Sequence, residues 1–207
     1  MQQLNHKNLS VATWTTSIVA VILITLSFVF DKESFFLLFN NDLGHTADFF
    51  FANITKGGEV VPWVVALLAV LIWRRDLFWL LLASFFISTL FVQGIKNILP
   101  DEPRPTKAIT NTHQVHIVEG VELYKVHSFP SGHTSAAFTV FFIACLAFKS
   151  RWVVALGLIY AFLVAYSRIY LAEHFPRDIA GGMIIAVVTI YLGLWICKRE
   201  NHLAVLV

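Results

Sequence analysis

The sequence predicts an all-α membrane protein: a bundle of six transmembrane helices, with an interfacial segment between the first two spans. Three observations carry that expectation. Of the 207 residues, 57% are apolar and 14% charged, against about 45–50% and about 25% in soluble domains. The apolar residues gather into stretches free of charge, among them 11–30, 77–95 and 152–166, which fit segments of about 20 residues crossing hydrocarbon. These stretches are also apolar on all sides, whereas barrel strands alternate apolar and polar residues in segments of about ten. In lipid only helices and closed barrels satisfy their backbone groups, so the spans are helices.

The spans are expected near 11–30, 59–73, 77–98, 131–148, 152–171 and 178–197. The first is too long for a signal-peptide core and lacks a small-residue cleavage site, so it reads as a retained anchor. The segment Phe35–Phe51 is rich in Phe but broken by Asn40, Asn41, Asp42 and Gly44. It reads as an interfacial helix or re-entrant loop, with a role in admitting lipid as the alternative. The second span is short, and Pro62 stands in its first turn, where a missing amide donor costs little. Gly181 and Gly182, near the start of the last span, permit close helix packing. No repeat or low-complexity linker divides the chain, which is expected to form one domain, 1–207.

The short loops set the orientation. Lys7, Arg74, Arg75, Lys149, Arg151, Lys198 and Arg199 fall on one side, with Asp76 and Glu200 as the acidic residues there. The opposite loops hold eight basic and eleven acidic residues. The positive-inside rule then places both termini in the cytoplasm and loops 31–58, 99–130 and 172–177 outside. A net charge of +2 without a basic run gives no reason to expect nucleic acid. Cys145 and Cys197 lie in apolar segments, as small hydrophobes do, and suggest neither a disulfide framework nor a thiolate metal site.

Three polar clusters mark the outer ends of the spans: Lys96 with Arg104-Pro105; Pro130-Ser131-Gly132-His133; and Ser167-Arg168 with His174 and Asp178. Singly, Lys96 reads as a snorkelling side chain and each histidine as a cap or interfacial residue. Arg168 lies about one turn inside an apolar segment, where an anionic partner is the natural expectation. Ser131-Gly132 puts a hydroxyl and an open backbone amide at a helix start, which favours an anion. If the stretch is helical or turn-like, Asp178, four residues after His174, reaches one ring nitrogen, fixing the tautomer and leaving the other nitrogen to attack. Together these residues are an inventory for phosphoryl transfer, a reaction catalysed mostly by positioning and electrostatic stabilisation.

The clusters resemble the three signature motifs of the type-2 phosphatidic acid phosphatase superfamily, which shares its core with vanadium haloperoxidases and bacterial acid phosphatases. Pro-Ser-Gly-His matches at 130–133, and Ser-Arg, five residues, His, three residues, Asp matches from Ser167 to Asp178. The first motif normally has six residues between Lys and Arg-Pro; here there are seven, Asn97 through Pro103, and a one-residue bulge near Pro100 is expected to absorb the difference. The resemblance spans roughly 59–197. It implies a six-helix bundle with a metal-independent site at its outer end and no cofactor. By matching positions, His174 resembles the nucleophile that forms a phosphohistidine, Asp178 its orienting partner, and His133 the acid that protonates the leaving group. Lys96, Arg104, Ser131, Gly132 and Arg168 resemble the phosphate cradle.

The expected partner is therefore a membrane lipid phosphate, a phosphomonoester or an isoprenoid diphosphate, met by lateral diffusion in the bilayer. Undecaprenyl diphosphate, phosphatidic acid, phosphatidylglycerol phosphate and the 1-phosphate of lipid A are all compatible with these residues. A lipid phosphotransferase on the same scaffold is a rival reading. A transporter or channel would carry charges near a span midplane, and here they gather at one end. Haloperoxidase chemistry would need vanadate, and nothing in the sequence points to an oxidative role. His113, His116 and His127, with Glu119 and Glu122, are expected in a solvated outer loop that helps choose the substrate. Asn53-Ile54-Thr55 matches a glycosylation sequon, which matters only in a eukaryotic secretory pathway.

Overall fold

A computed structural model of the chain describes residues 3–110 and 112–200. Among these residues every regular element is helical: α1 (His6–Val29), α2 (Lys32–Leu37), α3 (His45–Ile54), α4 (Val61–Trp73), α5 (Phe78–Ile98), α6 (Pro105–Ala108), α7 (Gly132–Ala147), α8 (Trp152–Tyr170) and α9 (Pro176–Arg199). Short 3-10 turns at Thr55–Gly58, Arg75–Leu77 and Thr112–Gln114 complete the set.

Among the described residues, four helical stretches are each long and apolar enough to cross a bilayer: α1, Arg75–Ile98, α8 and α9. The region expected as a straight second span is different. α4 has 13 residues and meets the His45–Gly58 helix at a 53° bend, and only the pair together is long enough to cross. The bend has a local cause: Gly57-Gly58 loosens the chain, and Pro62, in the first turn of α4, lacks the amide that would continue the preceding helix. The helix α7, at 16 residues, is also short for a span. It lies at the centre of the bundle, packed against α1, α4, α5, α8 and α9. Its position among other helices explains its polar content: Ser135 shares a hydrogen bond of 2.8 Å with Ser88, and the Thr139 hydroxyl donates to the Ser135 carbonyl at 2.7 Å. The outer helices turn Trp14, Phe28, Leu90 and Trp195 away from the bundle, as lipid-facing surfaces do.

The Phe-rich segment folds as α2 and α3 joined by an irregular stretch. Phe35, Phe36 and Phe51 are buried in the protein, while Phe49 points out. Phe36 packs edge-on against Phe175, with centroids 5.5 Å apart, and Phe51 packs on Tyr170 at 4.5 Å. The segment is thereby fastened to the chain on either side of His174.

The two ends of the bundle differ in chemistry. At one end the Asn5 amide donates to the Leu146 carbonyl (3.1 Å) and the Asn8 side chain to Phe148 and Ser150 (both 3.1 Å). Arg74 joins them through the Ala147 carbonyl and Asp76 (2.7 Å). The chain start and the two short basic turns thus gather at one end. The three polar clusters gather at the other.

Candidate active site

Each site residue owes its place to the local fold. α8 ends at Tyr170, and Ala172 adopts a left-handed conformation with φ 55°. This reverses the chain, so the amides of Glu173 and His174 both donate back to the Arg168 carbonyl at 2.9 and 3.0 Å. Arg168 and His174 are therefore clamped together by main chain. Pro176 then opens α9 and places Asp178 in its first turn. There its Oδ2 accepts the Phe175 amide at 2.9 Å, so the carboxylate caps the helix as well as facing the histidine.

His174 is 2% exposed, and its Nδ1 lies 3.5 Å from Asp178 Oδ2. The same oxygen accepts the Ser128 hydroxyl at 2.5 Å. Burial holds the His174 pKa well below the ordinary 6.5, and the charges of Arg104, Arg168 and Lys96 push the same way, against an opposing contact from the Ser128 backbone. Burial thus favours the neutral imidazole, the form that carries a free lone pair.

Ser131 caps α7: its hydroxyl accepts the Thr134 amide at 3.4 Å and the Thr134 hydroxyl at 3.0 Å. Its own amide donates to the Asp178 carbonyl at 3.0 Å, tying the start of α7 to the start of α9. That approach depends on Gly182, where a Cβ would stand 2.5 Å from the Ser131 carbonyl oxygen. The close packing expected of Gly181-Gly182 is present, at the site itself. His133 follows in the first turn of α7, within electrostatic reach of Arg168, His174, Arg104 and Lys96. Its Nε2 lies 3.5 Å from Glu59 Oε1. The turn carrying Glu59 rests directly on it, for a Cβ on Gly58 would lie 2.6 Å from His133 Cβ.

All eight residues singled out in the sequence, His174, His133, Asp178, Lys96, Arg104, Ser131, Gly132 and Arg168, come to this one end. The extra residue of the first motif makes no helical bulge. α5 stops at Ile98, Leu99 is extended, and the surplus is spread over irregular chain before Pro105. Arg104 still reaches the pocket because its amide donates to the Lys125 carbonyl (3.0 Å) and its Nε to the Val126 carbonyl (3.0 Å). Arg168 Nη1 donates to Thr55 at 2.6 Å, whereas its buried Nε has no protein partner.

Sequence reasoning missed Glu173, Ser128, Glu59 and Thr55. Glu173 is 1% exposed and joins both arginines. A carboxylate beside the key histidine, in an otherwise apolar turn, was the available signal, since buried charges are paired ones. In the outer loop His113, Glu119, Glu122 and His127 are exposed, as expected of a solvated loop, but His116 is anchored: its Nε2 lies 2.9 Å from Asp48 Oδ1, which also accepts the Tyr170 hydroxyl at 2.6 Å. Asp42, Asp48 and His116 place possible ligand atoms within 4.8 Å of one another; the His116–Asp48 hydrogen bond accounts for two of the three, and Asp42 accepts the Gly44 amide at 2.7 Å. An apolar groove of about 480 Å³ runs between α4, α7 and α8, lined by Val65, Ala69, Val140 and Ala144, and reaches Gly57 beside the site.

The PAP2 superfamily model matches residues 77–202, which includes all three motifs. The chain is 28% identical over 169 residues to an undecaprenyl-diphosphatase of Sulfolobus acidocaldarius, covering 81% of this chain and 75% of that one. It is also similar to the crystal structure of Aquifex aeolicus LpxE, with a TM-score of 0.67 and 28% identity over 77% of this chain and 92% of that one. The fold extends to a PAP2-type phosphatidylglycerolphosphate phosphatase of Bacillus subtilis, with a TM-score of 0.58 and 21% identity, covering 93% and 96% of the two chains. With apolar helices long enough to cross a bilayer and the three motifs at one end of them, the chain belongs to the PAP2 superfamily and is one of its membrane phosphatases.

Proposed function

We propose that the protein hydrolyses an isoprenoid diphosphate or a lipid phosphomonoester at the outer membrane face, through a phosphohistidine intermediate. One observation carries the reading: His174, buried and 3.5 Å from Asp178, shares one end of the bundle with three cationic side chains and a second histidine. The cationic side chains of Lys96, Arg104 and Arg168 take the phosphoryl oxygens, and Ser131 and Gly132 present the start of α7 to them. Asp178 holds Nδ1 of His174, so Nε2 attacks phosphorus and the bond to the leaving oxygen breaks. His133 gives that oxygen its proton, then accepts one from the water that cleaves the phosphohistidine. The bound phosphate dianion offsets Arg168, Arg104 and Lys96, whose charges oppose a proton on His133, and Glu59, 3.5 Å from its Nε2, adds to that.

The name of the Sulfolobus relative favours a polyprenyl diphosphate, and the groove reaching Gly57 suits a hydrocarbon tail over a soluble ester. The whole chain acts as one membrane domain of six spans. The bent α3–α4 pair serves as the second span and the sheathed α7 as the fourth, with both termini cytoplasmic in a bacterial inner membrane and the site on the periplasmic side. The test is phosphate release by purified protein in detergent from farnesyl diphosphate and dioleoyl phosphatidate, beside His174→Ala. Release by the native protein and loss of at least about 10³-fold in the variant are expected; equal release by both removes the reading.

A further inference from the structure

The reaction sequence above leaves Glu173 without a task, although it sits at the centre of the cationic cluster. Its Oε2 accepts from Arg104 Nη1 and lies 3.5 Å from Arg168 Nη2. Its Oε1 lies 3.4 Å from the Tyr124 amide, and its carbonyl accepts from Arg104 Nη1 at 3.3 Å. So many attachments hold the side chain in one place.

We propose that Glu173 is a positioning residue that aims both arginines and lowers the charge of the anion pocket, so that phosphate is held yet released. The inference rests on reading Lys96, Arg104 and Arg168 as the phosphate cradle. The aiming follows from which donors are occupied. Arg104 commits Nε to the Val126 carbonyl and Nη1 to Glu173, which leaves Nη2. Arg168 commits Nη1 to Thr55 and turns Nη2 toward Glu173, which leaves the buried, unpartnered Nε. An arginine free of such a bridge has several rotamers, and a fixed fork loses less entropy on binding an oxyanion. The charge effect is as direct. Three cations in a buried pocket attract a phosphate dianion strongly, because interactions there are weakly screened. One carboxylate touching two of them removes a third of that charge. Glu173 also ties the loop holding Arg104, Tyr124 and Val126 to the turn holding His174, so the pocket closes around the nucleophile as one unit.

The experiment uses the full chain in detergent, with orthophosphate and pyrophosphate as competitive inhibitors. Glu173→Gln keeps the shape and removes the charge. It is expected to bind orthophosphate about tenfold more tightly and pyrophosphate by a larger factor, with kcat falling as product release slows. Glu173→Asp keeps the charge and should leave the ratio of the two inhibition constants unchanged. A glutamine variant that binds both anions no more tightly than the native protein overturns the proposal, since a merely structural role has no reason to discriminate by ligand charge. If that variant loses its cooperative melting transition, the aspartate variant decides: an altered ratio overturns the proposal. Should the native protein hydrolyse no lipid phosphate, the proposed function fails, and calorimetric titration of orthophosphate into native protein and Glu173→Gln still reads the charge effect.

Discussion

At the scale of single residues, the carboxylate behind His174 does three jobs with one oxygen. Asp178 Oδ2 faces the imidazole, caps the start of α9 and accepts the Ser128 hydroxyl. Asp178→Asn keeps the size and loses the charge, so it should lower kcat by about 10³-fold or more with a much smaller change in KM; steady-state kinetics on one lipid phosphate checks the split. Ser128→Ala removes a hydrogen bond to a buried charged group and should cost about 1.5–3 kcal/mol of stability, read from melting in detergent. The pH response of His174 follows from its depressed pKa. In the unfolded chain the ring takes up a proton as pH falls through 6.5, while in the folded chain it does so only well below that value. The folded state is therefore favoured above pH 6.5 and loses that advantage on acidification. His174→Asn should show a smaller drop in melting temperature between pH 7.5 and 5 than the native protein; an equal drop assigns the acid sensitivity elsewhere.

At the scale of elements, the site depends on close approaches that glycine permits. The α7–α9 contact leaves no room for a Cβ at residue 182, where the nearest atoms belong to the Ser131 backbone and Thr134. Gly182→Ala should cost about 1–3 kcal/mol through overpacking and lower kcat by displacing Asp178 from His174, measured by melting and turnover together. The motifs on these elements were legible because each is short and local: Ser131 caps the helix that it begins, and Asp178 follows His174 by four residues. The bent second span was less legible. The apolar run after Pro62 announces a helix, but whether the preceding helix joins it in one crossing depends on the 53° angle, which composition does not encode. α7 was legible as a helix, while its central place shows only in what packs around it.

At the scale of the whole molecule, basic turns stand at one end and the three polar clusters at the other. The proposed orientation predicts that a cysteine introduced at exposed Glu119 reacts with a membrane-impermeant maleimide in intact bacterial cells once the outer membrane is permeabilised, and that one introduced at Lys149 does not. The reverse pattern would invert the protein. In the proposed cradle the positive charge comes from Lys96, Arg104 and Arg168, so activity should survive EDTA; abolition restored by magnesium would require a different site. Membrane character, helical class and the identity of the three motifs were determined by sequence, because hydrophobic length, local capping and residue spacing are properties of contiguous chain. Tertiary structure decided the rest: the carboxylate of Glu173 shared by Arg104 and Arg168, the turn of Glu59 resting on His133, and the loop histidine His116 anchored to Asp48. The Arg104–Glu173, Glu59–His133 and Asp48–His116 contacts join residues 68 to 74 positions apart, set by how helices pack and how buried charges find partners; of these residues only Glu173, beside His174, carries a signal in the local sequence.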